Sequence, residues 1–179
     1  MIILGIDPGT LVTGYGIVER KGSLLRMIDC GMARNNRDDD MPQRLKAIYD
    51  TLCRAIDRWH PDAAAIETAF YGKNIQSSLK IGQARGVAML AAVNAGLPVS
   101  EYAPREIKRA ITGSGAASKD QVQFMIVAML RMKAAPEALD ISDALAVAVT
   151  HAHRIAAPTA GTSSWKSFIA AHPERVVSQ

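Results

Sequence analysis

The sequence predicts an α/β fold: a mixed five-stranded sheet, an antiparallel meander followed by parallel strands, with helices on both faces. Three observations carry this. Three strand-like runs open the chain, and helical and strand-like segments then alternate. Two short runs, Met1–Ile6 and Ala63–Ile66, are apolar at almost every position, the pattern of strands covered on both sides.

The elements follow in order. Residues 2–6, 13–19 and 24–33 read as successive strands separated by Pro8-Gly9 and Lys21-Gly22 turns. Pro42 opens a helix in which Leu45, Ile48, Leu52, Ile56 and Trp59 recur at helical spacing, and His60-Pro61 stops it. Ala63–Ile66, flanked by helices, suits a buried parallel strand that delivers Glu67 at its end, as the first strand delivers Asp7. Residues 75–95 make a long helix rich in small residues, among them Gly82, Ala84, Gly86, Ala88, Ala91 and Ala92, and Gly96 closes it. Residues 97–102 form the next strand. Pro104 starts a short basic helix, residues 112–117 form a Gly-rich loop, and Ser118 with Gln121 reads as the cap of a helix running to Leu130. The last helix spans Asp140 to about Ile155, with Ile141, Leu145 and Ala148 turned to the core. From Pro158 the composition shifts to Thr, Ala, Gly and Ser. One domain over residues 1–156 and a flexible C-terminal tail over 157–179 are expected.

A chain of 179 residues, 49% hydrophobic and 21% charged, has one domain's length and ordinary globular composition. Its two cysteines, Cys30 and Cys53, lack metal-ligand spacing and read as buried reduced thiols. No apolar stretch reaches the length of a membrane span, and the start lacks a basic segment leading into an apolar one. A reducing cytoplasm is the expected location. The net charge of +4 is unevenly spread: residues 71–135 hold nine basic against three acidic residues, a net +6, so the remainder is acidic. A basic stretch beside an acidic centre suits a polyanion held against bound metal, while a solvated basic face is the plainer alternative.

Four acids stand out. Asp7 sits where an apolar strand gives way to Pro8-Gly9-Thr10, near the strand ends at which α/β sheets gather ligands. An Asp before Pro-Gly is also a common turn former. Asp140 and Asp143 are three apart on one helical face and suit a shared cation; alternatively they are a cap and a first-turn acid that favours the helix dipole. Glu67 is harder to reconcile with a purely structural role, because a carboxylate directly after Ala-Ala-Ala-Ile is desolvated and costs several kcal/mol unless paired. A common metal site accounts for all four together. His151, eleven residues beyond Asp140, lies about 16 Å along the helix and is not counted as a ligand.

These residues carry a family resemblance. Gly5-Ile6-Asp7-Pro8-Gly9 with Thr13-Gly14-Tyr15-Gly16, Ala65-Ile66-Glu67 with Phe70, residues 79–86, residues 102–108, Lys119 with Gln121-Val122, and Asp140 with Asp143-Ala144-Leu145-Ala146 occur in order over residues 1 to about 155. The chain resembles the RuvC-type crossover (Holliday) junction endodeoxyribonucleases. That resemblance implies an RNase H-like fold, a homodimer, and paired symmetric nicks in four-way DNA junctions during recombination and repair. It also implies dependence on Mg²⁺, two ions per site with Mn²⁺ as substitute, and a branch-migration motor as partner. Asp7, Glu67, Asp140 and Asp143 are the implied metal ligands, with Asp7 bridging the ions. Four such carboxylates are the hard oxygen donors these ions take.

Lys119 is a candidate to stabilise charge at the reacting phosphate, and Lys73, Lys80, Arg85, Arg105 and Lys108 join it as candidate DNA contacts. Phe70 either wedges against unpaired bases at the branch point or covers the long helix as a core aromatic. The small residues of that helix suit either close packing on a second copy or packing on their own sheet.

Two other function classes compete. The strand-turn-strand at Gly5–Thr10 resembles the phosphate loop of actin-like and sugar-kinase ATPases, but the chain lacks a second such loop and a second lobe. A non-catalytic junction-binding module leaves the acids without a purpose.

Overall fold

The computed structural model describes residues 1–68 and 75–156. Five strands, β1 (Ile2–Asp7), β2 (Val12–Lys21), β3 (Leu24–Arg34), β4 (Ala63–Glu67) and β5 (Val99–Tyr102), form one sheet in the order β3-β2-β1-β4-β5. β1, β2 and β3 pair antiparallel, whereas β4 runs parallel to both β1 and β5. Five helices complete the fold: α1 (Met41–Trp59), α2 (Ile75–Asn94), α3 (Pro104–Thr112), α4 (Lys119–Met129) and α5 (Leu139–Ala156). This is the RNase H-like arrangement that the resemblance implies.

The near-continuous apolar character of β1 has a direct cause: the strand is central and both its faces are covered. Ile3 points into a core shared with Val18, Ala65 and the helices α3, α4 and α5. Leu4 and Ile6 point the other way, with Ile17 and Ile66, onto α1 and α2. Alternate side chains on opposite faces place Gly5 and Asp7 with Ile3, on the α5 side.

The expected elements are present, with shifts that local chemistry explains. α1 begins at Met41 because the Asp40 carboxylate accepts a hydrogen bond from the Gln43 backbone N–H at 2.9 Å, which makes Asp40 the cap and seats Pro42 in the first turn. β5 starts at Val99 rather than residue 97. Gly96, at φ +74°, ends the α2 turn, and the Leu97 N–H still donates back to the Ala92 carbonyl at 3.0 Å.

Leu145 and Ala148 are buried in the core and Ile141 packs against it, as expected of their spacing. The enclosure of α5 goes further: Ser142 and every residue from Ala144 to Ala152 are buried, because α5 lies on the sheet and is covered in turn by α3 and α4. Its buried polar groups are accounted for. Gln123 Nε2 donates to Ser142 Oγ at 3.0 Å, Thr150 Oγ1 donates to the Ala146 carbonyl at 2.8 Å, and the Tyr102 hydroxyl lies 2.7 Å from His151 Nδ1.

The small residues of α2 fall on two faces. Ala84, Ala88, Ala91 and Ala92 are buried on the chain's own core. Gly82 and Gly86 face outward, where an added Cβ would meet nothing within 4 Å.

Candidate metal and nucleic-acid site

Asp7 and Glu67 end the neighbouring parallel strands β1 and β4, whose register pairs Ile6 with Ile66. One step further along that register sets Asp7 beside Glu67, both on the face that α5 covers. Thr13 fastens the turn after Asp7: its hydroxyl donates to the Gly9 carbonyl at 2.6 Å and accepts from the Gly9 N–H at 3.3 Å. Turn formation therefore does not engage the Asp7 carboxylate. Among the described residues neither the Asp7 nor the Glu67 side chain has a hydrogen-bond partner.

Close approach of α5 brings up the other two acids. A Cβ on Gly5 would lie 2.6 Å from the Ala148 backbone nitrogen and 2.8 Å from its Cβ, and one on Gly14 would lie 2.6 Å from the Asp140 carbonyl carbon. No alanine fits at either place without moving the α5 backbone. Gly14 pairs with Asp7 across β1 and β2, so the contact that seats the first turn of α5 lies beside the β1 carboxylate.

The carboxyls respond to this crowding. Burial pushes Asp7 up to about 7, with the charges of Asp143 and then Asp140 adding to the rise and Lys119 opposing it. Burial likewise pushes Glu67 up to about 8, helped by Asp7 and Asp143 and opposed by Lys119 and Lys108. Lys119 Nζ donates to Asp143 Oδ2 at 2.8 Å, and that hydrogen bond is the main reason its ammonium is held above the usual lysine range. The Ser118–Gln121 capping box starts α4 and so fixes where Lys119 stands: Ser118 N–H donates to Gln121 Oε1 at 2.9 Å, and Gln121 N–H donates to Ser118 Oγ at 3.2 Å.

Asp7, Glu67, Asp143, Lys108 and Lys119 line one cleft of ≈ 230 Å³, walled by Pro104, Ile107 and Val122. Drug-sized and nucleotide ligands occupy sites of roughly 300–1,000 Å³, so the cleft is better matched to a phosphodiester and small ions. Asp140 acts on Asp7 through its charge but does not line the cleft. Among the described residues no three His, Cys, Asp or Glu side chains stand close enough to enclose an ion. The donor chemistry nonetheless fits hard divalent cations: Asp7 and Glu67, without hydrogen bonds among the described residues and raised by burial and then by neighbouring acids, gain most from an added positive charge.

The remaining candidates separate. Arg105 stands exposed on α3 beside the cleft. Arg85 is ion-paired with Glu101 of β5, and Lys80 is exposed on α2; neither lines the cleft. Phe70, Lys73 and residues 157–179 lie outside the described residues. Sequence reasoning gave no structural role to Gly5, Gly14 or Gly16, although glycines at alternate positions in a strand are the usual sign of a close backbone approach. It also missed Pro104, Ile107 and Val122 as cleft walls, and only the tertiary packing of α3 and α4 reveals them.

The chain is similar to known proteins over most of its length. Residues 3–151 match the family model described as "Crossover junction endodeoxyribonuclease RuvC". Curated proteins of that name are similar over most of their length. The one from Photorhabdus laumondii is 51% identical over 152 residues, 85% of this chain and 87% of that one. The one from Salinibacter ruber is 46% identical over 177 residues, 98% of this chain and 99% of that one. Among solved structures, T. thermophilus RuvC in complex with a Holliday junction substrate superposes with a TM-score of 0.83 at 33% identity, covering 87% of this chain and 95% of that one.

Proposed function

Because the chain belongs to the RuvC family of crossover junction endodeoxyribonucleases, a family of divalent-metal-dependent nucleases, we propose that it resolves four-way DNA junctions by paired symmetric nicks, acting in recombination and repair. The observation that carries this reading is the meeting of Asp7, Glu67, Asp143 and Lys119 in one cleft, with two carboxyls raised to near or above neutrality.

Asp7, Glu67, Asp140 and Asp143 would hold the metal, two Mg²⁺ ions with Mn²⁺ as substitute. When bound, such ions supply positive charge to the phosphate and lower the pKa of water. Asp7 and Glu67, on adjacent strand ends, would accept hydrogen bonds from the attacking water rather than touch the like-charged phosphate, and Asp143 faces the same cleft from α5. Lys119 and Lys108 hold non-bridging phosphate oxygens in the same cleft, and Lys119 opposes the charge that grows on them during displacement. The reaction is a phosphodiester hydrolysis with water as nucleophile, so no covalent enzyme intermediate is required.

Two nicks need two centres, and α2 offers a face for a second copy. Ile75, Leu79, Leu90 and Val93 are exposed on it, and Gly82 and Gly86 continue their three-and-four spacing between them. Glycines at the middle of an apolar stripe let two backbones approach closely. No helix among the described residues is long and apolar enough to cross a membrane; we place the homodimer in the cytoplasm, where a branch-migration motor would deliver the junction.

The test is incubation with labelled four-way and linear DNA, with and without Mg²⁺. Paired nicks confined to the junction and dependent on the metal are expected. Equal nicking of both substrates would demote the chain to a general nuclease.

A further inference from the structure

Helix α3 separates two concavities. Pro104, Ile107 and Lys108 line the carboxylate cleft, whereas Ala103, Arg105, Glu106 and Arg109 line a larger groove of ≈ 760 Å³ whose opposite wall is Tyr102 and the α5 residues Thr150, His153 and Arg154. Tyr102 pairs with Glu67 in the sheet, so this groove opens at the same strand-end edge as the cleft.

The charge of the groove is one-sided. Glu106 is its only acid, and its carboxylate already accepts the Ala103 N–H at 3.0 Å in the cap of α3 and lies 3.8 Å from Arg154. Among the described residues Arg105 and Arg109 form no ion pair. The guanidinium groups are also partly positioned. The Arg105 stem packs on Gly115, where an added Cβ would lie 2.6 Å from Arg105 Cγ. Arg154 stands over the Tyr102 ring at 5.7 Å, and the hydrogen bond to His151 anchors that ring from within. Arg105 and Arg109 are four apart on α3, about 6 Å along its axis, a spacing that lets each reach a different phosphate of a passing strand.

On the reading that the cleft cuts junction DNA, we propose that this groove is a second phosphate-binding surface, built by Arg105, Arg109 and Arg154, which grips the backbone of a duplex arm beyond the scissile phosphate. Arginine suits this role because its planar fork binds phosphate oxygens in pairs.

The test is binding of a labelled four-way junction to the full chain by fluorescence anisotropy, without Mg²⁺, over a series of salt concentrations. Arg109→Gln with Arg154→Gln is expected to lower the slope of log affinity against log salt by about 2, and Arg109→Gln alone by about 1. The single variant alters an exposed side chain without an ion pair, so its fold is not at stake. Lys46→Gln with Arg54→Gln, on α1 across the sheet, should leave the slope unchanged. An unchanged slope in the Arg109 and Arg154 variants, with wild-type binding intact, overturns the groove alone. An equal fall in the α1 variant does the same, since it would show diffuse attraction. Failure of the wild-type chain to bind a junction overturns the functional reading beneath it.

Discussion

Asp7 and Glu67 are carboxyls that the fold would rather keep neutral. With values of about 7 and about 8, against 3.8 and 4.5 for the free groups, the folded chain binds more protons than the unfolded chain between roughly pH 4 and pH 8. Stability of the metal-free protein therefore falls as pH rises through that window and levels off above it. The loss is on the order of a few kcal/mol for the pair, after discounting for solvent screening. Thermal melting with chelator present, measured from pH 4.5 to 8.5, checks this; a midpoint that rises steadily with pH would contradict it. Removing one charge should relieve the strain. Asp7→Asn is expected to raise the metal-free melting temperature at pH 8 by a few °C, on the order expected for 1–2 kcal/mol, while abolishing cleavage. A lower melting temperature for the variant would sink the first half of that expectation.

At the scale of elements, the site depends on how closely α5 can lie on β1 and β2. Gly5 and Gly14 make that approach possible, and Gly16 extends it by accepting Leu145, whose Cδ2 would lie 2.6 Å from an added Cβ. Gly14→Ala should destabilise the fold by about 1–3 kcal/mol, because the new methyl meets backbone rather than a flexible side chain. It should also slow single-turnover junction cleavage at temperatures where the variant remains folded, since the first two turns of α5 carry Asp140 and Asp143. Denaturant unfolding together with cleavage kinetics reads both effects, and wild-type values in each would remove the seat from the account. Much of this level was legible in the sequence. The meander, the β4 strand ahead of Glu67 and the capped α4 all follow from local period and turn chemistry. The enclosure of α5 was not legible, because its alanines satisfy a one-sided stripe and a buried rod equally well. Only contacts with α3 and α4, distant in sequence from the sheet beneath, distinguish the two. The cleft walls were hidden for the same reason, whereas the four acids stood out because each is a charge next to an apolar run or on one helical turn.

Over the whole molecule, charge and exposed apolar surface take different places. Lys108 and Lys119 enter the carboxylate cleft, Arg105 and Arg109 face the neighbouring groove, and the outward stripe of α2 is apolar. Four of the nine basic residues of positions 71–135 thus fall on the cleft and the groove, with Arg85 set aside by its pairing to Glu101. If the α2 stripe joins two copies, Leu79→Glu with Leu90→Glu should convert a dimer into a monomer in light scattering, and paired nicking of one junction should give way to single, uncoupled nicks. A dimer that persists would move the interface elsewhere. That the carboxylate cleft cuts four-way DNA with the help of divalent metal is read out by single-turnover cleavage of a labelled junction by the wild-type chain and Glu67→Gln across a Mg²⁺ titration, with junction binding measured in parallel. Metal-dependent nicking by the wild type is expected, with a loss of about 10²–10³-fold or more in the variant and binding retained; nicking by Glu67→Gln at the wild-type rate, or by either protein without metal, would rule out this role for the cleft.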